Sequence, residues 1–236
     1  VLATTGSGAR STAAIAPHIA STDVASIQPA EGDVVGVRHP VIVTFTRPVD
    51  NRAEAERTIK ITAPNRVAGR FTWMGNNVVQ WQPDGYWPAH SHIGVQVHAL
   101  STGFDTGDTV LAVASISQHT FTVSINDEVV RTMPASMGKP SRPTPVGNYT
   151  ALSKERTVVM DSRTIGIPLS SPEGYKITAQ YAVRVTWSGV YVHSAPWSVD
   201  SQGHANVSHG CINLSPDDAA WYFGTVHIGD PIDVVA

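Results

Sequence analysis

The chain is short of several things, and each shortage narrows what it can be. It has one cysteine in 236 residues, so it cannot close an internal disulfide or build a zinc site from several thiolates. Charged residues make up only 15% and the formal net charge is −3. No run of Lys and Arg exists, which argues against duplex nucleic acid as a partner. No apolar stretch approaches the length of a membrane span, and no internal repeat is visible. Lys, Glu and Arg are scarce, whereas 19 Gly and 16 Pro accompany abundant Thr and Val, a composition of strands and turns rather than helices. Hydrophobic residues at 42% suffice for a packed core. The length suits one large domain or two of ordinary size.

Residues 1–24 hold too few large apolar groups to pack and are expected to form a disordered linker. They lack the charged start and apolar run of a signal peptide, and are read as a tether to an export signal or anchor outside this sequence. Short alternating segments follow, among them Val41–Thr46, Thr58–Thr62 and His92–His98. Arg70–Trp73 and Val78–Trp81 flank Met74-Gly75-Asn76-Asn77, a hairpin turn. This pattern predicts an immunoglobulin-like β-sandwich over 25–107. His90, His92 and His98 within it are read as ordinary surface histidines, not a metal site. Polar residues Ser101 to Asp108 are expected to link it to a second β-rich region, 108–236.

That region opens with strands at Val110–Ile116 and Thr120–Ile125. Asn126-Asp127 turns the chain into Glu128–Met133. Met160 to Gly174 is rich in Gly, Pro and Ser and is expected to be a lid or binding loop. Strands resume over Tyr181–Trp187 and Gly189–His193. Ser215-Pro216-Asp217-Asp218 is a helix start, with a Ser N-cap, Pro at the first position and acids in the first turn. The helix is expected to reach about Phe223, before a final strand within Val226–Val235.

The lone cysteine lies in Ser208-His209-Gly210-Cys211-Ile212-Asn213. If this stretch is extended, His209, Cys211 and Asn213 share one face. A thiol becomes a useful nucleophile when an imidazole takes its proton. Two histidines qualify: His209, two residues away, and His193, which ends a separate strand. Asp200 is available to orient a ring, although nothing in the sequence places it there. Gly210 suits close approach of backbone to substrate, and the Gly210 and Cys211 amides could stabilise an oxyanion. Against this, a lone cysteine is most often a buried small hydrophobe.

His193, fourteen residues, then Ser208-His209-Gly210-Cys211-Ile212-Asn213 resembles the signature of L,D-transpeptidases with a YkuD-type catalytic domain. Gly138-Lys139 and Thr144-Pro145-Val146-Gly147-Asn148-Tyr149 resemble that family's second signature. The resemblance spans about 108–236. It implies a mainly β fold: an immunoglobulin-like sandwich, then a β-rich catalytic domain with one or two short helices. It implies a cysteine acyltransferase, without metal or cofactor, that forms 3-3 cross-links between diaminopimelate residues of peptidoglycan stem peptides. Cys211 would attack the third residue of a tetrapeptide donor, release D-alanine and leave a thioester for the acceptor's diaminopimelate amine. His193 would be the base, oriented by the Ser194 carbonyl, with His209 supporting the thiol. Thiolate and imidazolium would be paired in advance. Amides of Tyr175, Gly210 and Cys211 would form the oxyanion hole, and Met160, Tyr175, Ser188, Trp197, Ser208 and Asn213 would contact substrate. Carbapenems would acylate the thiol. The implied location is the periplasmic face of the envelope, with membrane contact only through a segment outside this sequence. Two other readings stay open: an L,D-carboxypeptidase on the same scaffold, and a non-catalytic wall-binding module.

Overall fold

The computed structural model describes residues 23–236, so the linker expected over 1–22 lies outside the described residues. Val24, assigned to that linker from composition, instead opens the first strand. It is buried and pairs with Phe45 across the sheet.

The N-terminal unit is a sandwich of two four-stranded sheets. One has the order β1 (Val24–Gln28), β3 (Val41–Phe45), β6 (Val78–Pro83), β5 (Gly69–Trp73). The other has the order β2 (Val34–Val35), β8 (Leu100–Thr106), β7 (His92–Val97), β4 (Ile59–Thr62). Inward residues Val41, Val43, Phe45, Val79, Ile93, Val95 and Phe104 form its core, as alternation on facing sheets requires. The stretch expected to be a polar linker is largely strand β8. Phe104 is fully buried in it and Thr106 nearly so, because both sit on its inward face. An unexpected helix, α1 (Arg52–Thr58), starts at a reciprocal cap: Asn51 accepts from the Glu54 amide at 3.2 Å and donates to its carboxylate at 3.0 Å. His90 and His92 pair separately with Asp108 and Asp105.

The second unit has its own core around Phe121, Met133, Ile212, Leu214, Tyr222 and Ile232. Its five-stranded sheet has the order β11 (Glu128–Pro134), β10 (Thr120–Ile125), β9 (Val110–Ser115), β17 (Pro231–Val235), β12 (Gly147–Thr150). The β10–β11 hairpin turns at Asn126 and Asp127, both at positive φ, as the sequence implied. A four-stranded sheet carries β13 (Ser153–Asp161), β14 (Lys176–Arg184), β15 (Tyr191–Ser194) and β16 (Ile212–Leu214). Strands β15 and β16 are parallel, with His193 opposite Asn213. Helix α2 (Pro216–Thr225) is capped by Ser215, which accepts from the Asp218 amide, and runs two residues past the expected end. Two short 3-10 turns, Ser162–Ile165 and Pro196–Ser201, flank the site. Trp187, expected to end a strand, lies in the turn between β14 and β15 and is 71% exposed.

Candidate active site

The expected lid is a loop joining the ends of the β13–β14 ribbon. It closes on itself: the Ser162 amide donates to the Tyr175 carbonyl, the Tyr175 amide to Ser162 Oγ, and Ser162 Oγ to the Ile167 carbonyl. Glu173 on the loop is ion-paired with Lys139. Met160 and Tyr175, at the loop's base, lie on the wall of a cavity of about 360 Å³.

That cavity gathers residues from four separate segments. Met160, Tyr175 and Ile177 come from the ribbon; His193 comes from β15; Trp197, Ser198 and Ser201 come from the following 3-10 turn. Val207, Ser208, His209, Cys211 and Asn213 come from the cysteine segment. Eight of these are residues that the sequence or the resemblance singled out. Ile177, Ser198, Ser201 and Val207 are additions. Ser198 had a weak local signal at best, yet its hydroxyl accepts from Asn213 Nδ2 at 3.1 Å and fixes that amide. Ser188 is outside the cavity, exposed in the β14–β15 turn and bonded to Thr186 Oγ1. Its neighbour Gly189 accepts from the Cys211 thiol at 3.7 Å. Asp200 enters no hydrogen bond with either candidate base.

The segment Ser208–Cys211 is not extended, contrary to the alternation argument. Gly210 has φ of +126°, a conformation that L side chains rarely adopt, and the strand starts only at Ile212. His209 and Cys211 face the same cavity because the chain bends between them. Ser208 holds the bend, donating to the Cys211 carbonyl at 2.6 Å and accepting from the Gly210 amide at 3.0 Å. Buried Thr144, from the second signature stretch, donates to the Gly210 carbonyl at 2.8 Å and accepts from the Gly138 amide. Both signature stretches therefore meet in one hydrogen-bonded unit.

The two histidines differ sharply. His193 is 2% exposed and its Nδ1 lies 2.8 Å from the Ser194 carbonyl. A carbonyl only accepts, so Nδ1 carries the proton and Nε2 is the free basic atom. Burial lowers the His193 pKa to about 4, against the raising effect of that carbonyl. Burial likewise pushes the Cys211 thiol up to about 11, opposed by the Tyr191 amide. Burial of each group on its own thus favours a thiol and a neutral imidazole in the resting site, where the resemblance implied a pre-formed thiolate–imidazolium pair. Desolvation disfavours both charged forms together. His209 also has a lowered pKa, through burial and then the nearby Lys139. Its ring lies 5.0 Å from that of Tyr175, and its buried Nε2 has no partner among the described residues.

Of the three amides implied for the oxyanion hole, two are engaged. Gly210 donates to Ser208 Oγ, and Tyr175 to Ser162 Oγ. The Cys211 amide has no such side-chain acceptor. Trp197 is half exposed, with its ring 5.9 Å from that of His193, closing one side of the base.

The lowered His193 pKa also fixes an acid response. Between its ordinary value of 6.5 and about 4, the unfolded chain binds a proton that the folded chain does not. Stability should therefore fall as pH drops through that window, by about 3 kcal/mol from this group. The lowered values of His39 and His209 act in the same direction, and the raised value of His227 opposes them. Urea unfolding midpoints of wild type and His193→Gln measure this: the wild type should lose more on acidification. Equal losses would contradict it.

Comparison with known proteins follows the same division of the chain. A family profile for the YkuD, or L,D-transpeptidase catalytic, domain matches residues 109–234, and one for a bacterial Ig domain matches residues 6–102. The chain is 66% identical over 224 residues to L,D-transpeptidase 1 of Mycobacterium tuberculosis, covering 95% of this chain and 89% of that protein. It resembles the structure of the LD transpeptidase LdtMt1 in complex with imipenem, at TM-score 0.86 and 68% identity, with 90% of this chain and 98% of that one covered. It also resembles L,D-transpeptidase 3 from Mycobacterium tuberculosis in complex with a faropenem-derived adduct. There the TM-score is 0.84 and the identity 51%, covering 92% of this chain and 99% of that one.

Proposed function

Because the chain belongs to the L,D-transpeptidases, we propose that it joins two diaminopimelate residues of neighbouring peptidoglycan stem peptides through a Cys211 thioester. The observation that carries this reading is a single cavity walled by both Cys211 and His193, with the His193 tautomer set by the Ser194 carbonyl. As the carbonyl of the donor's third residue approaches, the thiol proton passes to His193 Nε2 and the S–C bond forms. The tetrahedral oxyanion rests on the Cys211 amide, joined by those of Gly210 and Tyr175 once they exchange their serine partners. His193 then returns its proton to the departing D-alanine nitrogen as the C–N bond breaks. The acceptor amine attacks the thioester in the same way, with His193 taking its proton, and the thiol is restored.

Met160, Tyr175, Trp197, Ser208 and Asn213 hold the donor stem in this reading. Ser188 neighbours Gly189, whose carbonyl accepts from the thiol. His209 supports the thiol from across the bend. Carbapenems acylate the same sulfur: the β-lactam C–N bond opens, its nitrogen gains the proton, and the whole drug stays attached. A peptidoglycan substrate lies outside the cytoplasmic membrane, so this reading puts the enzyme at the periplasmic face of the envelope. Recovery of the complete gene product in the cytosol on fractionation would refute that placement.

The deciding experiment is product analysis with a tetrapeptide muropeptide donor. With an acceptor stem, a cross-linked dimer and free D-alanine should form together. Tripeptide and D-alanine without dimer would make the protein an L,D-carboxypeptidase. No D-alanine at all would leave a wall-binding module.

A further inference from the structure

A donor that loses its terminal D-alanine carries a free carboxylate on the leaving group. A site that takes such a group out of water needs a cation near the leaving-group side. The cations around the cavity are mostly committed. Lys139 is paired with Glu173, Arg163 with Asp161, and Lys176 acts on the same Asp161. Arg184, beyond the thiol, lies over the Tyr191 ring and 3.9 Å from Glu155. Arg142 makes no ion pair with a carboxylate among the described residues.

Its position is fixed tightly. The loop Gly138–Thr144 clamps the chain on either side of His209: the Lys139 amide donates to the Ser208 carbonyl at 3.0 Å, and Thr144 Oγ1 to the Gly210 carbonyl at 2.8 Å. The Arg142 amide closes the loop on the Lys139 carbonyl at 2.8 Å. A Cβ on Gly138 would lie 2.2 Å from the Arg142 carbonyl, so the loop is packed too closely to rearrange freely. The Arg142 charge acts on the Tyr175 hydroxyl, the His209 ring and Glu173. Tyr175 and His209 are cavity walls, and His209 Nε2 is a buried polar atom without a partner.

We infer that Arg142, on the loop clamped to the chain on either side of His209, recognises the terminal carboxylate of the donor peptide and so sets the requirement for a free C-terminus. This rests on the proposed function. An arginine presents several donors in one plane to a carboxylate, which gives direction as well as charge. His209 Nε2, buried and without a partner among the described residues, is a second polar atom on this wall of the cavity.

The test compares a tetrapeptide donor ending in D-alanine with the same peptide ending in D-alanine amide. Wild type should prefer the acid by about 10- to 100-fold in kcat/KM, the usual range for losing one charge-assisted hydrogen bond. Arg142→Gln should bring the acid-to-amide ratio close to one, by losing activity on the acid alone. Arg142→Lys should restore part of the preference, and an unchanged thermal midpoint shows that both variants fold. A wild-type ratio retained in Arg142→Gln, or no preference in wild type, would overturn the inference and leave the proposed function standing. Failure of wild type to release D-alanine from either donor would remove the proposed function and this inference with it.

Discussion

Cys211→Ala is expected to abolish covalent capture of a carbapenem. Intact-mass measurement should show wild type gaining the full mass of the drug, since ring opening adds every atom, and the variant gaining nothing. Cys211 is the only cysteine in the chain. No second thiol can substitute, and a loss of at least about 10⁴-fold in acylation rate is the expectation for removing a nucleophile. The substitution should leave the fold intact. The thiol's contact with the protein is a weak 3.7 Å bond to the Gly189 carbonyl, and the bend around it is held by Ser208 and Thr144, not by sulfur. Cys211→Ser should also fail, because a hydroxyl is far less acidic than a thiol whose own pKa is already raised to about 11. An adduct on Cys211→Ala would move the nucleophile elsewhere and dismantle the mechanism.

Some of this site was readable from the residues alone, for physical reasons that can be named. The cysteine segment and the strand carrying His193 are local patterns, and a parallel pairing of β15 with β16 is enough to bring them together. Helix α2 announced itself through its cap chemistry. The bend at Gly210 was misread, because period-two alternation assumes φ values that glycine is free to leave. Helix α1 carried an N-cap at Asn51 with Glu54 three residues on, but too little apolar periodicity to stand out. Strand β8 looked polar because only its inward residues, Phe104 and Thr106, report its burial. Ile177, Ser198, Ser201 and Val207 were not singled out, because packing rather than residue type decides which neighbours of the marked residues face the cavity. The resting protonation state was likewise hidden: it depends on how much water the fold removes from Cys211 and His193.

That protonation state shapes the second large effect, expected from His193→Ala. Neutral His193 can accept a proton at any pH above about 4, and Cys211 keeps its proton up to about 11. Wild-type acylation should therefore be nearly flat across the neutral range. It should fall only on the acid side as the imidazole becomes charged, because a protonated ring cannot act as base. Removing the ring should lower the rate by about 10²- to 10⁴-fold at neutral pH, the range for a positioned general base. The residual rate should then climb about tenfold per pH unit, because only the small fraction of pre-formed thiolate reacts and that fraction follows hydroxide up to the thiol's own pKa. His209→Ala removes a neighbour but leaves the base, so its profile should stay flat, with a smaller loss. The comparison separates the two histidines by slope as well as by magnitude. A pH-independent rate in His193→Ala would show that another group takes the proton, and a steep profile in His209→Ala would name that group. Wild-type inflection near the ordinary histidine value of 6.5 would mean that the imidazole is better hydrated than its burial indicates. The resting thiol can be checked directly: the ultraviolet absorbance of a thiolate should be missing from wild type at neutral pH and should appear only as the solution becomes strongly basic.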